Sequence, residues 1–352
     1  MNRRETKTVE VGNIKIGSTS PISIQSMTNT DTNDIKTTLG QVLELEDAGC
    51  EIVRLAVYDE DCINTIREIK GHTDIPLVSD IHFDYRLAIK SIDAGIDKLR
   101  INPGNIGSEA NVKRVVDAAN ERKIPIRIGV NSGSLKKDIL YKYGNTYKAL
   151  GESALEHVDI LEKLGYEEIV ISLKSSDILK TVKAYEYIAD RVPYPFHIGI
   201  TEAGTLFEGT IKSSIGVGHL LLQGLGDTIR ISLTDSPIKE VEVGMSILRS
   251  LGIRRDGIEI VSCPTCGRCN IDLLSMANTI RDKTRHIKHP LKIAVMGCVV
   301  NGPGEARDAD IGIAGGDGKV ALFKKGKIVG SYPAEDAVKL ILSGIQDIID
   351  KT

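Results

Sequence analysis

Neither sign of charge dominates this 352-residue sequence: 45 Lys and Arg stand against 48 Asp and Glu, for a net charge of -3. So close a balance gives no global field for nucleic acid or an anionic membrane, although it leaves room for a local basic pocket. Long apolar runs are also missing. No stretch is long enough to span a bilayer, and Met1-Asn2-Arg3-Arg4-Glu5-Thr6-Lys7 lacks the apolar core of a secretory signal, so the expected compartment is the cytoplasm. No Gly-x-Gly-x-x-Gly follows the first candidate strand. No Walker motif is present, because the glycine-rich run at 312–319 has the wrong spacing and lacks the following Ser or Thr. That run reads as a strand followed by a hairpin turn. Low-complexity segments are absent. Cysteine is scarce, with six in all, and four of them fall between Cys263 and Cys298. In a reducing compartment such clustering points to metal or redox chemistry, while the isolated Cys50 and Cys62 read as small buried apolar residues.

What is present is an ordinary globular composition, 41% apolar and 26% charged, in a chain long enough to bury a sizeable core. Up to about residue 250 one rhythm repeats at about 30 residues per unit: a β-branched run, a polar or glycine-rich turn, then a helical stretch. Candidate strands lie at 21–27, 51–57, 76–81, 98–102, 125–131, 168–174, 196–202 and 228–233. Eight such units predict a parallel sheet closed into a (β/α)8 TIM barrel, with an open doubly wound sheet as the alternative. Segments 8–11 and 13–16 predict a hairpin plugging the lower end of the barrel. After Leu251-Gly252 the rhythm breaks. Strands at 258–262, 292–296, 311–314, 320–324 and 327–330, with helices at 271–285 and 334–350, predict a smaller α/β domain. The expected domains are therefore 1–254 and 255–352.

Several barrel strands carry polar residues near their C-terminal ends, often two apart and hence on one face. Asp80 with His82, Arg100 with Asn102, Arg127 with Asn131, and Arg230 with Ser232 follow this pattern; Arg54 and Lys174 interrupt apolar runs, and Glu202 closes the seventh candidate strand. One such Arg reads as a rim residue in a salt bridge. Five or six cations converging on one mouth repel one another unless anions join them, and guanidinium forks fit phosphate oxygens. The pattern predicts a site for a multiply charged anion, most simply a diphosphate. Asp80, His82 and Glu202 are the candidate proton donors or hydroxyl anchors.

The second domain holds Cys263-Pro264-Thr265-Cys266-Gly267-Arg268-Cys269 and, later, Gly297-Cys298-Val299-Val300-Asn301-Gly302-Pro303-Gly304-Glu305. A Cys-x-x-Cys turn lets two thiolates reach one centre, and a Gly- and Pro-rich loop can aim backbone N–H groups at cluster sulfurs. A structural zinc site is a competing reading, but zinc ribbons normally supply a second Cys-x-x-Cys or a His pair. A thioredoxin-like dithiol fits less well, since the motif does not open a helix in such a unit. For an iron–sulfur cluster, two ligand sets remain open. Cys263, Cys266, Cys269 and Cys298 would make a closed electron-transfer centre. Three thiolates with an oxygen ligand would leave one iron open, and Glu305 is the candidate for that more displaceable fourth position. A radical S-adenosylmethionine enzyme would carry Cys-x-x-x-Cys-x-x-Cys, which is absent.

The strings around Cys263 and Cys298, with Ser23-Ile24-Gln25-Ser26-Met27-Thr28-Asn29-Thr30 and Arg100-Ile101-Asn102-Pro103-Gly104-Asn105, resemble the bacterial 4-hydroxy-3-methylbut-2-enyl diphosphate synthase family over nearly the whole chain. The form is the short one, without the inserted middle domain of plant relatives. The resemblance implies reductive ring opening and dehydroxylation of 2-C-methyl-D-erythritol 2,4-cyclodiphosphate in the non-mevalonate isoprenoid pathway. It implies a [4Fe-4S] cluster on Cys263, Cys266, Cys298 and Glu305, with electrons from a flavodoxin or ferredoxin. It also implies a head-to-tail homodimer in which the cluster domain of one subunit covers the barrel mouth of the other. Cys269 stands where the family commonly has another residue. Another iron–sulfur barrel enzyme acting on a phosphorylated small molecule is the alternative.

Overall fold

The β-branched runs separated by Gly and Asp turns form strands, and the amphipathic stretches between them form helices that cover the outside of a closed sheet. A computed structural model describes residues 2–102, 105–298, 307–316 and 318–351. The chain divides into two compact units, Met1–Leu251 and Gly252–Thr352, so the division lies three residues before the boundary expected at 254.

The first unit opens with a hairpin, β1 (Val9–Val11) and β2 (Ile14–Ile16), paired with Val9 opposite Ile16. Gly12, at φ +58°, makes the turn between them. Eight parallel strands follow: β3 (Ser23–Met27), β4 (Ile52–Ala56), β5 (Leu77–Asp80), β6 (Lys98–Ile101), β7 (Ile126–Asn131), β8 (Ile169–Lys174), β9 (His197–Ile198) and β10 (Thr228–Ile229). They pair in chain order from β3 to β8, while β10 joins β9 to β3. A bridge between Ile171 and Phe196 closes the ring from β8 to β9. The result is the TIM barrel that the eight-fold alternation predicts.

The hairpin fixes which strand positions face the axis. Val9, Val11 and Ile16 pack on Ile52, Val78 and Val170, so these three point inward at the lower end. Residues two or four further along β4, β5 and β8 (Arg54, Asp80 and Lys174) share that inward face higher up, at the C-terminal mouth. The seventh and eighth strands are shorter than their apolar runs suggest. His197–Ile198 ends before Gly199, and Glu202 falls in the following loop with a positive φ of 52°. Arg230 and Ser232 likewise lie just beyond β10.

The second unit is a five-stranded sheet in sequence order: β11 (Ile258–Ser262), β12 (Leu291–Met296), β13 (Ile311–Gly316), β14 (Lys319–Lys324) and β15 (Lys327–Pro333). The first three strands are parallel and the last two antiparallel. The glycine-rich run is thus a strand and hairpin, as its spacing suggests. Helices Leu273–Thr284 and Ala337–Ile349 cover one face. There Ile280, Ile293, Val295, Ile313, Leu322, Ile341 and Ile345 make a core of their own. Among the described residues no helix is long and apolar enough to cross a membrane.

Candidate active site

Pairing places Asp80 beside Arg100, and Arg100 beside Arg127, along three adjacent strands. Arg100 Nη1 donates to Asp80 Oδ1 at 2.9 Å, and Arg54 Nε stands 3.7 Å from Asp80 Oδ2. The same Arg100 nitrogen lies 3.0 Å from His82 Nε2. His82 is otherwise exposed, with its Nε2 3.6 Å from Asp80 Oδ1. Burial opposes ionisation of Asp80, yet Arg54, His82, Arg100 and Arg127 together hold its pKa well below the usual carboxylate range. Asp80 is therefore an anchored carboxylate at working pH, better suited to orienting a hydroxyl than to giving up a proton.

Arg54 turns its Nε and Nη2 to the sulfur of Met27, at 3.0 and 2.8 Å. Its burial lowers its pKa to about 10, against the opposing pull of Asp80. Arg230 pairs with Glu240 at 3.5 Å, and Glu240 also accepts from Ser26 Oγ at 2.9 Å and from Leu233 N–H at 3.1 Å. Arg127 and Lys174 are 1% and 6% exposed, and neither forms an ion pair among the described residues. Burial, reinforced by neighbouring cations, pushes both pKa values far down. Five cations thus share two buried carboxylates, and that deficit is what an anionic substrate would fill. Asn102 is buried below the rim; Asn131 and Ser232 are half-buried, and Glu202 is exposed in its loop.

Two inward glycines make the crowding possible. A Cβ on Gly129 would lie 2.6 Å from Arg100 Nε; one on Gly199 would lie 2.2 Å from the Arg230 carbonyl oxygen and 3.1 Å from Lys174 Nζ. Residues that the sequence reading passed over join the site from the same strands. Lys98 sits two before Arg100 and His197 two before Gly199, both fully buried, and strand alternation was the signal for each. Glu240 comes from the first turn of helix Pro237–Ser250, where only tertiary structure shows that it faces Arg230.

In the second unit, β11 and β12 run side by side with Ser262 opposite Val295. Cys263 and Gly297-Cys298 therefore leave adjacent strand ends in the same direction. Gly297 N–H donates to Cys263 Sγ at 3.2 Å, and Asn270 N–H reaches the Gly297 carbonyl at 3.4 Å. Cys266 is exposed, Cys298 half-buried, and all six cysteines are free thiols. Cys269 donates its S–H to the Ile271 carbonyl at 3.3 Å and packs on Gly297, where a Cβ would approach its sulfur to 2.6 Å. Among the described residues no three His, Cys, Asp or Glu side chains gather closely enough to hold a metal ion. Glu305 lies outside the described residues. Three soft thiols at neighbouring strand ends, one already receiving a backbone N–H, still make a donor set that fits an iron–sulfur cluster.

The GcpE TIM-barrel domain matches residues 6–245, and the GcpE protein C-terminal domain matches residues 259–347. The chain belongs to the GcpE family. Members named 4-hydroxy-3-methylbut-2-en-1-yl diphosphate synthase (flavodoxin) are similar end to end. That of Caldanaerobacter subterraneus is 58% identical over 348 residues, covering 99% of this chain and 98% of its own. That of Clostridium perfringens is 54% identical over 99% of this chain and 100% of its own. The GcpE barrel also has distant structural company. A dihydropteroate synthase from Yersinia pestis superposes with a TM-score of 0.51 at 11% identity, over 70% of this chain and 98% of that one, a likeness of fold alone.

Proposed function

We infer that this chain is a 4-hydroxy-3-methylbut-2-enyl diphosphate synthase, which opens the ring of 2-C-methyl-D-erythritol 2,4-cyclodiphosphate and removes one oxygen as water. The observation that carries this reading is the surplus of buried cations at the barrel mouth, within a chain related end to end to enzymes of that name. Arg54, Arg100, Arg127, Lys174 and Arg230 hold the two phosphates, and Asn102, Asn131 and Ser232 complete their hydrogen bonding. Asp80, fixed as an anion by its cations, orients a substrate hydroxyl. His82 and Glu202, both reached by solvent, are the groups through which protons enter.

Cys263, Cys266, Cys298 and Glu305 would hold a [4Fe-4S] cluster, and such a cluster, when bound, supplies the two electrons of the reduction one at a time. The S–H donation by Cys269 supports leaving that thiol out of the ligand set. Electrons come from a flavodoxin, the donor in the relatives' names, or from a ferredoxin. A head-to-tail homodimer in the cytoplasm is the setting that the family resemblance supports. The test is anaerobic turnover of the cyclic diphosphate with reduced flavodoxin. Glu305→Ala should retain most of the iron and sulfide yet lose nearly all turnover; near-normal turnover would remove Glu305 from its role.

A further inference from the structure

Below the mouth, the barrel axis is lined by donors that lack acceptors. His197 and Lys98 are fully buried, and Arg127 and Gln25 are each 1% exposed. Among the described residues, neither ring nitrogen of His197 has a partner, nor do Arg127 Nε and Nη2, Gln25 Nε2 or Thr228 Oγ1. Lys98 reaches across from β6 to Gln25 on β3, 3.3 Å away, so these side chains meet near the axis. The carboxylates are engaged elsewhere: Asp80 is shared by Arg54 and Arg100, and Asp97 pairs with Lys70 on the outside. Nearly every orphaned atom carries a proton to give. Water supplies acceptors and further donors in equal number, whereas an anion supplies acceptors alone and also offsets the enclosed cations.

We propose that this layer is a second anion site, beneath the diphosphate cradle and sharing Arg127 with it, which takes one small inorganic anion of halide size between Lys98, Arg127, His197, Gln25 and Thr228. A buried halide neutralises the floor of the mouth, so that the mouth cations can be kept inside the barrel before substrate arrives. The same chemistry could come from a substrate phosphate reaching down the axis, and the two sources are separable.

The test uses crystals of the cluster-loaded protein grown in sodium bromide and measured at the bromine edge, with and without the cyclic diphosphate. The expected result is one anomalous peak on the axis touching Lys98 and Arg127, present in both crystals and absent from Lys98→Met. A Met there replaces the buried cation with an apolar side chain of similar length, a change that proteins often tolerate. In solution, bromide should raise the melting temperature of the parent protein above that in gluconate at equal ionic strength, and should not do so for Lys98→Met. Ordered water in place of the peak would overturn the proposal, as would bromide displaced by a substrate phosphorus; failure of Lys98→Met to fold would leave the bromide map of the parent protein to decide.

Discussion

Lys174 makes no ion pair among the described residues, although it is only 6% exposed and three arginines act on it. A lone buried ammonium of this kind is costly until an anion arrives, and under the proposed function its favourable interaction comes with the substrate's phosphates. Charge-assisted hydrogen bonds contribute about 1.5–3 kcal/mol each. Lys174→Met should therefore raise KM roughly ten- to a hundred-fold while the protein melts at the same temperature or higher; steady-state kinetics beside a melting curve checks both. His157 presents the opposite case. Its ring is buried in helix Tyr147–Lys163 without a partner among the described residues, and burial, with Lys136 nearby, lowers its pKa to about 4 from 6.5. Between those values the unfolded chain binds a proton that the folded ring refuses, so acid favours unfolding. Stability should fall by about 2 kcal/mol from pH 7 to pH 5 on this account. Denaturation of His157→Leu over that range should show a shallower slope, and an unchanged slope would exonerate the ring.

At the scale of elements, the strands were legible because β-branched runs recur at regular spacing, and the plug hairpin was legible from its own alternation. The ends of β9 and β10 were not. Their runs continue past Ile198 and Ile229, but the strands end there, and Gly199 comes so close to the Arg230 carbonyl that a Cβ would lie 2.2 Å from its oxygen. No local pattern encodes that meeting of two distant strands. The two inward glycines give contrasting predictions. A methyl at Gly199 strikes backbone and should cost about 1–3 kcal/mol of stability, seen as a lower melting temperature. A methyl at Gly129 strikes only the movable Arg100 side chain, so Gly129→Ala should raise KM with a smaller change in melting temperature. Equal thermal effects from both would contradict this assignment of the crowding. Among site residues, Arg54, Arg100 and Arg127 were visible because a charge in a buried run is conspicuous. Glu240 was invisible because a carboxylate in the first turn of a helix looks like any solvated one.

The whole molecule combines a barrel that gathers cations with a separate sheet that gathers thiols, each unit having its own core. Cysteine spacing in the second unit reads only as far as a metal or cluster site; the proposed ligand set rests on the resemblance carried by the full Gly-Cys-Val-Val-Asn-Gly-Pro-Gly-Glu string. Cys269 shows why spacing alone left two ligand sets open: it sits three residues after Cys266, and its S–H donates to the Ile271 carbonyl. The most direct measurement is an anaerobic Mössbauer spectrum of the iron-57-loaded protein and of Cys269→Ser, each before and after adding the cyclic diphosphate. A four-iron cluster is expected in both proteins, with one iron distinct from the other three and shifted by substrate. Four equivalent thiolate-bound irons, or loss of the cluster in Cys269→Ser, would contradict the proposed ligand set.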